Sequence, residues 1–260
     1  GSLSATAGIS TEHSRDARRG FENFDGDRAG VQGRLRRDET NIVDSTDPYL
    51  QLEWRQGAWI AHTGVRYSRV SFDVRDRFTA NGDDSGSRHY SRTTPVAGIV
   101  YKLSPATSIY ASAARGFEAP TLNELFYSTA GGFNFGLDAA ASRHIELGAK
   151  MNPSAGSRVQ AALFQANTRD ELVVDSSSGG RTSYRNAART LRRGAELSAD
   201  IRLSRSLQAR VAASAIHAVY EEGVGNARSG GVGRGVAIPT PVAPNFSSAS
   251  ATSSASMPPI

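Results

Sequence analysis

Tyr49-Leu50-Gln51-Leu52-Glu53-Trp54-Arg55-Gln56-Gly57-Ala58-Trp59-Ile60-Ala61-His62-Thr63-Gly64-Val65-Arg66-Tyr67-Ser68 is the stretch whose reading decides the fold. Leu50, Leu52 and Trp54 alternate with Gln51, Glu53 and Arg55. After a short turn at Gln56-Gly57, the residues Trp59, Ala61, Thr63, Val65 and Tyr67 alternate with His62, Gly64, Arg66 and Ser68. A period of two places each set on its own face of a strand, so the stretch reads as a hairpin with one apolar and one polar face.

The same period recurs along the chain. Ala97, Ile99, Tyr101 and Leu103 oppose Gly98 and Lys102; Ile109, Ala111 and Ala113 oppose Tyr110 and Ser112. Ile145, Leu147, Ala149 and Met151 oppose Glu146, Gly148 and Lys150, and the pattern continues over 193–203 and 206–217. Segment 157–169 is less clean, because Leu163 and Phe164 claim opposite faces. Short turns near 56, 105, 154 and 205 recur at about 50 residues, a repeated hairpin unit. Between them lie longer polar connections, expected at about 15–45, 73–92, 118–140 and 169–181. Tight turns at one end and long loops at the other are the layout of an outer-membrane barrel.

Strand length agrees. Each alternating run covers about 9–13 residues, against roughly 9–11 for a tilted membrane-crossing strand and 5–6 for a usual soluble one. The expected fold is therefore all-β, an antiparallel meander of about nine long transmembrane strands. The competing reading is a soluble all-β binding module such as a kelch-like propeller, whose repeat length is similar. A propeller blade needs four short strands per repeat, whereas this sequence supplies two long ones and a loop.

The 260 residues are 38% hydrophobic with a mean hydropathy of −0.39, low for a chain with a large dry core. No run approaches the roughly 18 apolar residues of a membrane-spanning helix. With Cys 0, disulfides, cysteine-ligated zinc and a cysteine nucleophile are excluded. The net charge is +5, and Lys102 and Lys150 are the only lysines among 30 basic residues. The arginines are scattered among 25 acids rather than gathered in a stripe, which argues against a nucleic-acid partner.

Charge position supports the membrane reading. An arginine facing mid-bilayer lipid costs roughly 2–4 kcal/mol, falling to about 0–1 near the interfaces. The arginines sharing parity with the apolar face are Arg69, Arg115, Arg143 and Arg193, and all four fall toward the long-loop end. Trp54 and Trp59 flank a short turn on the same parity, as an aromatic girdle requires.

Several motifs carry a family likeness. Arg115-Gly116-Phe117-Glu118-Ala119-Pro120-Thr121-Leu122-Asn123-Glu124-Leu125-Phe126 resembles a strand-to-loop motif of TonB-dependent outer-membrane receptors. Tyr184-Arg185-Asn186-Ala187 and Arg192-Arg193-Gly194-Ala195-Glu196-Leu197 resemble a later barrel motif, and Thr94–Tyr101 and Tyr110-Ala111-Ser112 fit between them in the family's order. The motif residues are thus Arg115, Gly116, Phe117, Pro120, Asn123, Glu124, Asn186, Gly194 and Glu196. The resemblance covers residues 1–222 and is strongest to ferric-siderophore receptors of the bacterial outer membrane. It implies a 22-stranded barrel filled by a plug domain, driven by the inner-membrane TonB complex. This chain carries the expectation of a partial barrel. It shows no plug, TonB-contacting box or signal sequence, so contact with TonB is expected only through a missing N-terminal region. The fragment by itself is then expected not to transport. Glu146, Lys150, Glu196 and Asp200 would face the plug in the complete fold.

Residues 223–260 read as a separate low-complexity tail, disordered or out of the natural frame. Gly235–Ile260 holds no charge and five of the ten prolines.

No covalent chemistry is expected. His13, His62, His89, His144 and His217 lack metal-ligand spacing, and no G-x-S-x-G nucleophile motif occurs. His89 near Asp83 and Asp84 is the one hydrolase candidate. Asn81–Ser87 is acidic but lacks the later acid of a calcium-binding EF-hand. No cofactor or metal site is expected. The ligand candidates are basic residues of the long loops: Arg34, Arg36 and Arg37 in the first, following Arg15, Arg18 and Arg19, then Arg88, His89 and Tyr90 in the second. Such a mouth attracts an anionic ferric siderophore or similar chelate through field focusing and bidentate guanidinium contacts. Membrane lipid and lipopolysaccharide are the other expected partners.

Overall fold

The computed structural model describes residues 1–126, 132–178, 181–204, 206–220 and the backbone of 231–233. Its elements in chain order are β1 (Ser2–Phe21), β2 (Phe24–Asp25), β3 (Arg28–Ala29), β4 (Leu35–Gln56), β5 (Trp59–Asp76), β6 (Gly86–Ser104), β7 (Thr107–Glu118), α1 (Leu122–Leu125), β8 (Ala140–Met151), β9 (Arg158–Ser178), β10 (Arg181–Arg202), β11 (Gln208–Tyr220) and β12 (Gly231–Gly233). Apart from the β2–β3 hairpin, they form one antiparallel sheet in sequential order from β1 through β4 to β12. Nine of its strands are long and β12 is 3 residues. This is the expected meander. Among the described residues no four-stranded blades occur, which removes the propeller reading.

The register shows why the sequence alternates. One row of Cα partners crosses all nine long strands through Leu3, Trp54, Ala61, Ile99, Ala111, Leu147, Leu163, Ala195 and Ala215. Every member is apolar. The adjacent row, on the other face, runs Ser4, Glu53, His62, Gly98, Ser112, Glu146, Phe164, Gly194 and Ile216. The apolar face stays uncovered, with Leu147 57% and Leu163 59% exposed. In water so continuous a patch would exceed the few hundred Å² that monomers tolerate, so its solvent is hydrocarbon. Phe164 resolves the ambiguous segment: it faces the lumen across from Gly194, where a Cβ would approach its ring to 2.9 Å.

Strand ends differ from expectation. The connections expected at 15–45, 73–92 and 169–181 are mostly strand: β1 runs to Phe21, β4 starts at Leu35, β5 runs to Asp76, β6 starts at Gly86, and β9 and β10 reach Ser178 and Arg181. Only the 118–140 connection keeps its length. Beyond the hydrocarbon both faces of a strand are wet, so polar residues suit either face and the period-two signal disappears while the hydrogen-bond ladder continues. Arg36, Arg37, Arg88, His89 and Tyr90 accordingly sit on strands, not in loops.

The buried core is not at mid-sheet. Phe72, Tyr90, Leu125, Leu137 and Ala139 cluster at the long-loop end, under the 119–139 connection. The division expected at residue 222 falls on a segment that, apart from Gly231–Gly233, lies outside the described residues. Among the described residues no helix is long and apolar enough to cross a membrane, which says nothing of strands.

Candidate functional site

The rim is built by strands rising above the apolar band and one connection folded onto them. That connection starts with a capping box. Thr121 Oγ1 accepts from the Glu124 amide at 3.3 Å, and the Glu124 carboxylate accepts from the Thr121 amide at 2.7 Å. The single turn of α1 aims Leu125, fully buried, into the core cluster. Phe126 follows, with the guanidinium groups of Arg18 and Arg37 over its ring, 4.2 and 4.0 Å from the ring centre. Both arginines also reach buried Glu39, at 3.5 and 3.7 Å, and Asn41 Nδ2 donates to the same carboxylate at 3.1 Å.

Further along, the Tyr90 hydroxyl donates to the Leu137 carbonyl oxygen and Arg88 pairs with Asp138, each at 2.8 Å. Asn186 makes the last tie. Its Oδ1 accepts from the Asp138 amide at 2.8 Å, and its Nδ2 donates to the Asp138 and Asp170 carbonyls at 2.8 and 2.7 Å. Asp170 stands at a positive φ of 57°, which turns its carbonyl out of the ladder.

Below this connection, on the lumen face, Glu12, Ser45 and Asp47 line a recess of about 300 Å³ floored by Val43, Val70, Phe72 and Pro120. The recess combines two carboxylates with an apolar floor, so it suits a ligand presenting donors around an apolar body. Lower in the lumen, Tyr110 donates to Glu146 at 2.5 Å, with Lys150 5.0 Å over its ring.

The six ligand candidates do not converge. Arg37, Arg88 and Tyr90 face the interior and hold the 119–139 connection. Arg34 makes a two-bond pair with Glu22 at 3.1 Å, which keeps that carboxyl below its ordinary range, and Arg36 adds its charge nearby. His89 is exposed and alternates to the face opposite Arg88 and Tyr90. Asp83 accepts from the Ser85 amide, and Asp76 accepts from the Phe78 and Asp84 amides, so these carboxylates shape their own loop. Among the described residues no group of three His, Asp or Glu side chains can hold a metal.

Several motif residues have evident structural work. A Cβ on Gly116 would meet Ser142 Oγ at 2.2 Å, and one on Gly194 would meet the Ala215 carbonyl at 2.5 Å. Pro120 is fully buried beneath the connection, Phe117 packs on the core cluster, and the Asn123 carbonyl accepts from the Phe126 amide. Glu196 lines the lumen, and Arg115 stands on the lipid-side face. Sequence reading missed Glu12, Glu39, Asp47 and Asp138, isolated acids whose partners lie far away in sequence.

A wall of alternating strands, with an aliphatic outer face and a polar inner one beneath a built rim, defines a β-barrel protein of the outer-membrane type. The chain belongs to the TonB-dependent receptor-like β-barrel family, whose model matches residues 2–252. That family resides in the bacterial outer membrane. Among solved structures the chain is similar to the siderophore receptor PiuA from Acinetobacter baumannii, with 18% identity and a TM-score of 0.66 over 89% of this chain and 38% of that one. It is also similar to the ferric yersiniabactin uptake receptor FyuA from Yersinia pestis, with 19% identity and a TM-score of 0.62 over 84% and 33%. The copper transporter OprC gives 15% identity and a TM-score of 0.68 over 84% and 35%. The chain therefore spans about a third of the length of these relatives, and they share its fold.

Proposed function

We propose that the chain forms part of the wall and outer rim of a TonB-dependent receptor that admits a ferric siderophore or similar chelate. The family match and the siderophore receptors among its structural relatives support this reading, and the rim carries it. There, interior-facing guanidinium groups and an apolar-floored recess stand where a ligand would arrive. Arg34, Arg36, Arg37, Arg88 and His89 act as the basic surroundings that draw in an anionic chelate, and Tyr90 joins Arg37 and Arg88 in holding the connection that frames the recess. The work is binding and passage, with no covalent step and no nucleic acid.

In the complete receptor the barrel has 22 strands, and Glu146, Lys150, Glu196 and Asp200 face a plug. The TonB complex is engaged through a region outside these residues. Among the described residues the sheet runs from β1 to β12 without closing on itself, and hydrocarbon does not tolerate open edges, so we assign transport to the closed barrel of the complete receptor. OprC is a copper transporter, so the shared fold does not itself select the metal.

Growth on a panel of ferric chelates under iron limitation tests the reading. Disrupting the gene that encodes this chain abolishes growth on one chelate while free iron rescues it. Unchanged uptake of every ferric chelate, with loss of another substrate, contradicts the iron reading.

A further inference from the structure

The recess under the 119–139 connection offers acceptors that nothing in the wall uses. Glu12 and Ser45 are Cα partners on β1 and β4, and Asp47 is the next residue along the same lumen-side face of β4. All three line the cavity of about 300 Å³. The neighbouring strand sets its floor: Val70 is the Cα partner of Ser45 and Phe72 that of Val43, while Ala119 and Pro120 close it from the connection. Among the described residues neither Glu12 nor Asp47 forms an ion pair. Beyond Val43 on the same face stands Asn41, 1% exposed, whose side-chain oxygen has no hydrogen-bond partner among the described residues.

Carboxylates at diagonal positions on one face repel, and a cation between them turns that repulsion into attraction. A bare metal ion does not suit the recess, because no three acids or histidines converge among the described residues. An ammonium group does: it is a compact charge with three donors, against two carboxylates and the Ser45 hydroxyl. Its methylene stem would lie on Val43, Val70, Phe72 and Pro120, as a lysine stem lies on apolar surface. Basic residues stand on the same lumen-side face on the next two strands. They are Arg66 on β5, its guanidinium 5.8 Å from the centre of the Tyr49 ring, and Arg92 on β6. The lumen face is therefore bipolar here, with acids on β1 and β4 and arginines on β5 and β6.

We infer that the recess binds the free ammonium group of an alkylamine arm on the incoming chelate, while the anionic ferric centre lies against Arg66 and Arg92. The inference rests on the ferric-chelate reading and deepens it to one ligand class, a bipolar chelate that is negative at the metal and positive at the end of an aliphatic arm.

The test uses two probes: a ferric tris-catecholate with a pendant pentylammonium arm, and the same chelate with that amine acetylated. Acetylation removes the positive charge and leaves the iron centre untouched. It also makes the probe more anionic, so a mouth that is merely basic would favour the acetylated form. Isothermal titration of the full-length receptor in detergent is expected to show the free-amine chelate bound at least about tenfold more tightly. Glu12→Gln/Asp47→Asn is expected to erase that preference and leave binding of the acetylated chelate unchanged. Asp44→Asn, on the opposite face of β4, is expected to keep it. Equal or weaker binding of the free-amine chelate overturns the inference, as does binding of neither probe or a preference that survives in the double variant. Should the double variant not fold, the wild-type comparison of the two probes and the single variant Asp47→Asn decide. Cells that take up no ferric chelate through this receptor contradict the iron reading itself. Cells that take up both probes equally leave that reading standing and overturn this inference alone.

Discussion

The Tyr90 hydroxyl donates to the Leu137 carbonyl oxygen at 2.8 Å, joining β6 to a connection 47 residues further along the chain. Tyr90 is 6% exposed, so removing its hydroxyl strands a buried carbonyl. Tyr90→Phe is expected to loosen the 119–139 connection by about 1–3 kcal/mol, seen as faster proteolysis within it while the barrel stays folded.

The same pair sets a pH dependence. Burial first, against the opposing pull of Arg88, holds the Tyr90 phenol above its ordinary pKa. A raised folded-state value means the stabilisation is complete below the unfolded pKa of about 10 and is lost as pH rises through the higher folded value. Protection of the connection from protease is expected to fall at strongly alkaline pH in the wild type, and Tyr90→Phe is expected to flatten that profile. An identical alkaline profile in the variant counts against this cause.

Asn186 uses one side-chain oxygen and one nitrogen to fasten three backbone groups of Asp138 and Asp170. Asn186→Asp keeps the acceptor and loses both donor bonds, so it is expected to destabilise the rim nearly as much as Asn186→Ala, by about 2–4 kcal/mol. Thermal unfolding of the detergent-solubilised protein checks both.

Gly148 lies beneath Tyr110, and a Cβ there would stand 2.5 Å from the phenol oxygen. Gly8 under Tyr49 repeats the arrangement, at 2.6 Å. Gly148→Ala is expected to push Tyr110 off Glu146 at a cost of about 1–3 kcal/mol. Gly98→Ala, whose Cβ would meet nothing closer than 3.6 Å, is expected to be nearly neutral.

Much of the wall was legible in the sequence because hydrocarbon on one side and water on the other force opposite residue types onto alternate positions. Leu147 beside Glu146 and Gly148 needs no long-range information to be read. The upper halves of β4, β5 and β6 carry no such contrast, so periodicity alone assigns Arg36, Arg37, Arg88 and His89 to loops although they stand on strands. The rim ties were less legible still. Nothing near Asn186 announces Asp138 or Asp170, and Glu39 gains its meaning only when Arg18 from β1 and Arg37 meet around Phe126. Charged pairs across distant segments follow from topology, which periodicity does not encode.

Depth governs tolerance to charge on the outer face. Leu147→Arg, in the middle of the apolar row, is expected to cost about 2–4 kcal/mol and to lower folding yield into lipid. Ser112→Arg, on the inner face opposite Glu146, is expected to fold with near wild-type yield.

The central claim, that one face of these strands meets lipid and the other a wet lumen, is tested most directly on β8. The sequence has no cysteine, so single nitroxide labels can be placed at 145, 146, 147, 148, 149 and 150 in turn. In bilayers, labels at 145, 147 and 149 are expected to collide readily with oxygen, and those at 146, 148 and 150 with a water-soluble nickel complex. Equal accessibility at all six positions, or nickel access at 145, 147 and 149, would contradict the membrane-wall account.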